Sequence, residues 1–246
     1  MAPKRVRADK LLVERGLVSS RERARRLIMA GEVWADRQRV HRPDAPLVEE
    51  SELEIRGADI PFVSRGGLKL DGALANWNID VRGLVGADIG ASTGGFTDCL
   101  LQRGARRVFA IDVGYGQLAW KLRHDPRVEL FERTNIRRFD PTRLAEPADL
   151  VVIDVSFISL RLVLPVALEL LRPEAIMLPL VKPQFEVGKE EVGKGGVVRD
   201  PTQQRLAVDA VRGCGVALGL TFRGEYPSPI RGPKGNQEFF LYFTRP

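Results

Sequence analysis

Five short apolar runs recur between residues 85 and 181, and stretches with helical periodicity separate most of them. The runs are residues 85–89, 108–113, 128–131, 150–155 and 176–181, and the helical stretches are residues 95–103, 117–122 and 160–171. Continuously apolar strands indicate a sheet that is buried on both faces, and strands joined through helices run parallel to each other. This alternation predicts an α/β fold with an open parallel sheet.

The C-terminal part changes this pattern. A helix is predicted over residues 202–217, and two further strands, 222–226 and 239–243, follow with no helix between them. Strands joined by a loop alone favour an antiparallel pair. We therefore predict a Rossmann-like sheet of seven strands, the last one antiparallel, which is the arrangement of methyltransferases that use S-adenosylmethionine.

The first segment of the chain has a different organisation. Residues 5–47 predict two helices followed by a short hairpin, and Gly16 and Gly31 have the chemistry of helix C-caps. Ser19 or Ser20 is expected to cap the second helix, and Asp36-Arg37 is expected to form the hairpin turn. We predict a small α+β domain over residues 1–59, a linker over 60–67 and the catalytic domain over 68–246.

Positive charge is concentrated in this first domain. Residues 1–42 hold twelve Lys and Arg against five Asp and Glu, whereas residues 43–59 hold six acidic residues and only Arg56. Such a cluster either faces solvent or binds phosphates, and its density favours a nucleic acid. The residues predicted to bind RNA are Arg5, Arg7, Lys10, Arg21, Arg23, Arg25 and, beyond this domain, Arg65.

A glycine-rich turn follows the first predicted strand of the large domain. Its spacing, G-x-x-x-G-G, is neither a P-loop nor a dinucleotide fingerprint, but a strand–turn–helix of this kind suits a nucleoside-bearing cofactor. Asp112 ends the next strand, where a carboxylate could bind ribose hydroxyls. Asn135 could read an adenine edge or cap a turn, and Asp88 could bond within the loop or meet the cofactor amine. The predicted cofactor residues are Asp88, Gly90, Ala91, Ser92, Gly94, Gly95, Phe96, Asp112, Val113, Asn135 and Asp154.

Four charged residues are predicted at the edge where parallel α/β sheets bind ligands. Asp154 and Lys182 each end an apolar strand, Glu238 precedes the last strand, and Lys69 lies on the first helix of the large domain. A charge at the end of a buried strand is costly unless it is paired or used. We predict that the four are catalytic and that Asp154 and Glu238 hold Lys182, which is either a base or an electrostatic group.

Two resemblances extend this interpretation. The first fifty residues resemble the S4 RNA-binding domain, through Arg7-x-Asp9-Lys10-Leu11, Ser20-Arg21 and Gly31-Glu32-Val33. Lys69, Asp154, Lys182 and Glu238 resemble the catalytic tetrad of FtsJ/RrmJ-type ribose methyltransferases. The whole chain resembles the TlyA (haemolysin A) family, and the matching stretches include 64–70, 90–96, 112–118, 132–135, 154–160, 181–186, 195–198 and 235–238.

The TlyA resemblance implies a specific reaction. The cofactor would be S-adenosylmethionine, and the product a 2′-O-methylated cytidine in ribosomal RNA, with 23S rRNA expected first and 16S rRNA as the other substrate. The implied partner is ribosomal RNA or a ribosomal subunit. The alternatives are a non-catalytic RNA-binding or ribosome-assembly factor and a membrane-active haemolysin. Because no apolar run approaches about 18 residues and the two cysteines lack metal-site spacing, we expect a cytoplasmic protein with no metal.

Overall fold

The computed structural model describes residues 4–18, 20–56 and 60–246, so Ser19, one of the two predicted caps, lies outside the described residues. The chain divides into two compact units, Met1–Pro61 and Phe62–Pro246. Phe62 and Val63, which the sequence assigned to a linker over 60–67, are buried, and the first helix of the second unit begins at Gly66. That linker prediction is therefore too long, because its last six residues belong to the second unit.

The first unit is a small α+β domain. Its elements are β1 (Arg5–Arg7), α1 (Ala8–Glu14), α2 (Arg21–Ala30), β2 (Val33–Ala35), β3 (Gln38–Arg39), β4 (Pro46–Val48) and β5 (Leu53–Ile55). The N-cap of α2 is Ser20, whose hydroxyl accepts a hydrogen bond from Arg23 N, and its C-cap is Gly31 in the left-handed region. The predicted hairpin forms around Asp36 and Arg37, both at positive φ as a two-residue turn requires.

The second unit contains seven strands and five α-helices. The strands are β6 (Val85–Ile89), β7 (Arg107–Ile111), β8 (Val128–Phe131), β9 (Ala148–Ile153), β10 (Leu171–Val181), β11 (Thr221–Pro227) and β12 (Phe239–Thr244). The helices are α3 (Gly66–Asn76), α4 (Gly95–Gln102), α5 (Trp120–Arg123), α6 (Leu164–Glu169) and α7 (Pro201–Ala217). The predicted helix over 160–171 is wrong in extent, because Leu171 already belongs to β10 and a 3₁₀ turn precedes α6.

All seven strands form one sheet in the order β11-β12-β10-β9-β6-β7-β8. β12 alone runs opposite to the other six strands, as predicted. The chain proceeds from β6 outward to β7 and β8, and then returns to place β9 on the other side of β6. Ligands of doubly wound sheets bind beside such a reversal, at the carboxyl ends of the strands. The fold therefore predicts a site between β6 and β9.

Burial explains why these strands lack polar alternation. Every residue of β6 and of β9 is buried, and their apolar side chains contribute to one large core that also includes Phe109, Met177 and Phe243. Burying apolar area of this extent is the main favourable term in folding the unit. Because the strands are buried, a charged residue at a strand end is destabilising unless an oppositely charged group lies beside it.

Candidate active site

Four chain segments meet at the carboxyl edge of the sheet. The strands β6, β9 and β10 end at Ile89, Ile153 and Val181. Phe239 begins β12 and pairs with Val181 in an antiparallel register. Continuing that register by one position puts Lys182 beside Glu238, and directly opposed residues have Cα atoms about 4.5–5.5 Å apart. The edge therefore brings residues distant in the sequence into one place.

Lys69 and Glu238 form a buried ion pair. Lys69 Nζ lies 2.6 Å from Glu238 Oε2, and the two side chains are only 8% and 1% exposed. Lys69 reaches this position from α3, whose buried residues also include Leu70, Ala73 and Leu74. Because removing either charge would leave the other buried without compensation, the two residues depend on each other.

Lys182 has a different environment from the predicted one. Its Nζ lies 2.6 Å from Asp154 Oδ1, at an angle outside that of a hydrogen bond, and donates a hydrogen bond to Ser156 Oγ at 2.9 Å. The prediction that Glu238 also holds Lys182 is corrected, because the Glu238 carboxylate binds Lys69. The four predicted residues thus form two ion pairs. These pairs are adjacent because Lys182 lies opposite Glu238 when the strand register is continued.

Gly90 allows the glycine turn to pass close to Asp154. Its φ is +87°, and a Cβ at this position would lie 2.6 Å from the carbonyl oxygen of Asp154. Asp154 N in turn donates to Ile89 O. Only glycine satisfies both the backbone angle and the space, so the turn after β6 and the end of β9 are built as one unit.

The next glycines and Phe96 serve packing. Gly94 is the N-cap of α4 with φ 98°, and a Cβ on Gly95 would lie 2.9 Å from Gly67 N, so α3 and α4 approach closely there. The Phe96 side chain is buried against the ring of Phe240, at 5.9 Å between centroids. The Phe96 ring is therefore covered by protein, and its predicted contact with a cofactor stays a prediction.

Asp88 is fully buried and only half satisfied. Its Oδ2 accepts hydrogen bonds from Thr97 N and Thr97 Oγ1, whereas its Oδ1 has no partner among the described residues. The pKa of Asp88 is raised to about 7. Burial is the main cause and the nearby charge of Asp154 adds to it, while the Thr97 hydrogen bonds act in the opposite direction. An unpaired buried oxygen of this kind is suited to a cationic group of a ligand.

The Asp112 carboxylate organises the turns around it. Its Oδ2 accepts from Ser92 N at 2.8 Å and its Oδ1 from Gly114 N at 2.6 Å. Ala91 beside it is buried, while Val113 is 69% exposed and leaves an apolar surface uncovered at this end of β7. Each carboxylate oxygen retains acceptor capacity, so ribose hydroxyls could still be bound there.

Asn135 takes the turn-capping role that the sequence left open. Its Oδ1 accepts from Arg137 N at the start of a 3₁₀ turn, and its side chain is exposed. Binding of adenine by the remaining amide nitrogen is compatible with this arrangement but stays a prediction.

Sequence reasoning missed an aromatic pair beside Lys182. Phe157 is 90% exposed, has a φ of 65°, and contacts Phe185 with ring centroids 5.1 Å apart and ring planes tilted by 51°. An exposed aromatic ring in a left-handed backbone conformation is uncommon and costly, and such strain concentrates at functional sites. Both residues stood in the sequence stretches noted above, but exposure and φ cannot be read from those letters.

The predicted RNA-binding residues of the first unit differ in what they contact. Arg7 and Arg21 both bind the buried carboxylate of Asp9, at 2.9 and 3.1 Å, and the Arg7 hydrogen bond in particular lowers the pKa of Asp9 to about 2. The ion pair of Arg21 therefore holds α2 to α1, and the ion pair of Arg7 joins the end of β1 to the start of α1. Arg5 and Arg25 are exposed, and within the described part of the chain neither forms an ion pair.

The other predicted basic residues vary in the same way. Lys10 pairs with Glu14 on α1, Arg23 is half-buried and also has an interaction partner, and Arg65 in the second unit is exposed at the N-terminus of α3. Across residues 4–18, 20–56 and 60–246, no group of three His, Cys, Asp or Glu could hold a metal ion. In those same ranges no helix is long and apolar enough to cross a membrane.

Comparison with known proteins identifies both parts of the chain. Residues 62–245 match the FtsJ-like methyltransferase family and residues 6–53 match the S4 domain. The chain is 48% identical over 240 residues to the 16S/23S rRNA (cytidine-2′-O)-methyltransferase TlyA of Mycobacterium tuberculosis, with 97% of this chain and 90% of the relative covered. It is 38% identical over 186 residues to the 23S rRNA (cytidine-2′-O)-methyltransferase TlyA of Campylobacter jejuni, covering 75% and 71%.

A solved structure agrees over nearly the whole length. The structure described as "Putative hemolysin from Streptococcus thermophilus" is 41% identical, with a TM-score of 0.78 and coverage of 99% of this chain and 90% of the other. The family match spans most of the chain, and the similarity to TlyA proteins includes the S4 domain. The chain therefore belongs to the FtsJ-like methyltransferase family, in the group that includes TlyA.

Proposed function

We propose that this protein is an RNA methyltransferase that transfers a methyl group from S-adenosylmethionine to the 2′-hydroxyl of a cytidine in ribosomal RNA. The observation that carries the proposal is the pair of ion pairs Lys69–Glu238 and Lys182–Asp154, which lie side by side at the carboxyl edge of the sheet. The names of the relatives support the substrate. TlyA of M. tuberculosis is described as acting on both 16S and 23S rRNA, and TlyA of C. jejuni on 23S rRNA.

The residues around the glycine turn fit this cofactor. Asp88 Oδ1 offers an unpaired buried acceptor for the amino group of the methionine moiety. The Asp112 carboxylate is available to the ribose hydroxyls, and the exposed Val113 beside it offers an apolar surface to adenine. When bound, S-adenosylmethionine supplies a sulfonium methyl carbon that an oxygen nucleophile can attack.

Lys182 is the proposed base. A ribose hydroxyl does not ionise near neutral pH, so it must lose its proton as it attacks. We infer that Lys182 accepts this proton as the hydroxyl oxygen attacks. The methyl group that bound S-adenosylmethionine would supply would then pass to that oxygen, and the bonding electron pair would stay with sulfur. Asp154 then stabilises the newly formed ammonium group of Lys182. On the other side of the site, the ion pair between Lys69 and Glu238 holds both of these charged groups in place.

The aromatic pair supports a nucleotide substrate. Phe157 follows Asp154 by three residues, and Phe185 follows Lys182 by three. Exposed aromatic side chains stack on unpaired bases, and this contact contributes about 1–3 kcal/mol per base. We expect Phe157→Ala to raise KM for RNA more than it lowers kcat, because the ring positions a base and does not move the proton.

The S4 domain supports RNA as the substrate class. Its exposed arginines, Arg5 and Arg25 among them, can contact phosphates without giving up a structural ion pair. Such contacts position an RNA but do not select the nucleotide. Selection of one cytidine therefore falls to the second unit.

The decisive experiment uses purified 30S and 50S subunits that lack the modification. Each is incubated with the protein and methyl-labelled S-adenosylmethionine, and the RNA is then digested to nucleosides and analysed by mass spectrometry. We expect 2′-O-methylcytidine with the wild-type protein and none with Lys182→Met, which keeps the length of the side chain without its charge. The two subunits report directly on which rRNA is the substrate.

A contradictory result would be equally clear. Label in a base, or equal labelling by wild type and Lys182→Met, would exclude the proposed chemistry. Calorimetry provides the test of the non-catalytic alternative, because a protein that only binds RNA would give no heat with millimolar S-adenosylmethionine.

A further inference from the structure

We propose that Ser156 is a positioning residue that aims the Lys182 amine at the substrate hydroxyl. The inference rests on the proposed function, since it refines the role of the proposed base. The hydrogen bond from Lys182 Nζ to Ser156 Oγ, at 2.9 Å, is its starting observation. Nothing in the charge pattern of the sequence points to this serine, because it carries no charge and lies in a loop.

The position of Ser156 follows from the sheet. In the parallel register of β9 and β10, Ile153 pairs with Pro179, so an extended continuation of both chains brings residue 156 beside residue 182. Phe157, at φ 65°, then turns the chain away immediately after Ser156. The strained residue is thus where the extended segment stops, and the segment is just long enough to reach the lysine.

A second contact holds this loop in place. The Glu186 carboxylate, only 1% exposed, accepts hydrogen bonds from Ser159 Oγ at 2.6 Å and from Leu160 N at 2.7 Å. Glu186 lies four residues after Lys182, so it joins the loop that follows β10 to the loop that follows β9. Ser156 and Lys182 are therefore carried by two loops that are fixed to each other.

The hydrogen bond determines the direction of the nitrogen. The three outer positions on Nζ are tetrahedrally related, so directing one N–H at Ser156 fixes rotation about the Cε–Nζ bond. A second position faces the side of Asp154, whose Oδ1 is close but poorly aligned for a hydrogen bond. The third position is left for the lone pair of the neutral amine, and this is where the hydroxyl proton must arrive.

Removing the serine hydroxyl should alter both the rate and the acid limb of the pH profile. Ser156→Ala frees the amine to rotate, because the hydrogen bond that orients it is lost. We therefore expect kcat to fall by about tenfold or more, which corresponds to the free energy of one hydrogen bond. The hydroxyl also accepts a hydrogen bond from the protonated amine, so its loss should move the acid limb of the pH profile to lower pH. The other charges of the site remain: Asp154 after β9, the Lys69–Glu238 pair from α3 and the residue before β12, and Asp88 on β6, which interacts with Asp154.

The experiment compares Ser156→Ala with two matched variants. Ser156→Thr keeps a hydroxyl and should recover most of the rate. Ser159→Ala removes a hydroxyl three residues away that binds Glu186 and not the lysine, so it loosens the loop without touching Nζ. We expect kcat to decrease in both alanine variants, but the acid limb to move to lower pH only in Ser156→Ala.

A measurement that does not depend on turnover distinguishes failure of the inference about Ser156 from failure of the proposed function. Carbon NMR of the protein with ¹³Cε-labelled lysine, with Lys182 assigned from Lys182→Arg, gives the titration of Lys182 directly. A lower pKa in Ser156→Ala than in wild type supports the inference, and an unchanged pKa together with unchanged kcat overturns it. An inactive wild-type protein would instead overturn the proposed function, whatever the variants show.

Discussion

Variants of the buried pair Lys69 and Glu238 should separate the effect of this pair on stability from its effect on methyl transfer. We consider Lys69→Met, Glu238→Leu and the double variant that carries both changes. Each single change leaves a charge that is at least nine-tenths buried and has lost a partner 2.6 Å away. Breaking a buried ion pair in this way costs about 3–5 kcal/mol, because the remaining charge is neither solvated nor neutralised.

The double variant should behave differently. Replacing both charges with apolar side chains of similar size removes the desolvation penalty together with the attraction, and such replacements are often neutral or stabilising. We therefore expect the free energy of unfolding to return to within about 1 kcal/mol of wild type, which means a coupling energy of about 5 kcal/mol or more between the two sites. Methyl transfer should nevertheless remain lost in all three variants.

Urea unfolding with tryptophan fluorescence measures this cycle. Trp77 ends α3 and packs against Tyr226 and Tyr242, so it reports on the second unit close to Lys69. Replacing Trp34 and Trp120 by phenylalanine makes it the single reporter. Single variants that lose less than 1 kcal/mol, or a double variant whose loss equals the sum of the two, would refute the view that this pair is buried and mutually dependent.

Four further predictions concern other charged residues. Because the folded-state pKa of Asp88 is raised to about 7, stability should fall as pH rises from about 4 through 7, and Asp88→Asn should flatten this slope in urea titrations. The same group should make S-adenosylmethionine bind more tightly at pH 8 than at pH 6 in calorimetry, a difference that Asp88→Asn removes. Because the pKa of Asp9 is lowered to about 2, its contribution should be lost as pH falls from about 4 to 2, and Asp9→Asn should speed hydrogen exchange of the α1 amides at pH 7. Arg25→Ala should weaken RNA binding and reduce the salt slope by about 0.7–0.9 without affecting that exchange, whereas Arg21→Ala should affect both; equal effects of the two variants would contradict the distinction.

The sheet could be predicted because each buried strand is a continuous apolar run that can be recognised within a few residues of the sequence. A strand buried on both faces must be continuously apolar, so β6 to β10 stand out as runs, and a loop without a helix marks the final antiparallel pair. The ends of elements were less accurate. Residues 160–171 are as apolar as a helix would require, but the first turn is 3₁₀ and Leu171 pairs with Ala148 in the sheet.

The site could be predicted as a set of residues but not as a set of contacts. Charges at the ends of buried strands are conspicuous, so Asp154 and Lys182 are found from the sequence alone. Which acid binds which lysine depends on the position of α3, and no sequence pattern places Lys69 against Glu238. Ser156 and Phe157 were missed for a related reason. The role of Ser156 is indicated by its distance from Lys182, and that of Phe157 by its exposure and its φ angle, and neither can be read from the sequence.

The most direct test of the account is a map of 2′-O-methylated riboses in cellular rRNA. Total rRNA from cells that lack the protein, and from the same cells supplied with wild type or Lys182→Met, is subjected to partial alkaline cleavage and sequencing. We expect cytidine positions protected from cleavage only with wild type, in 23S rRNA, in 16S rRNA or in both. Protection that persists with Lys182→Met, or the absence of any new protected ribose with wild type, would contradict it.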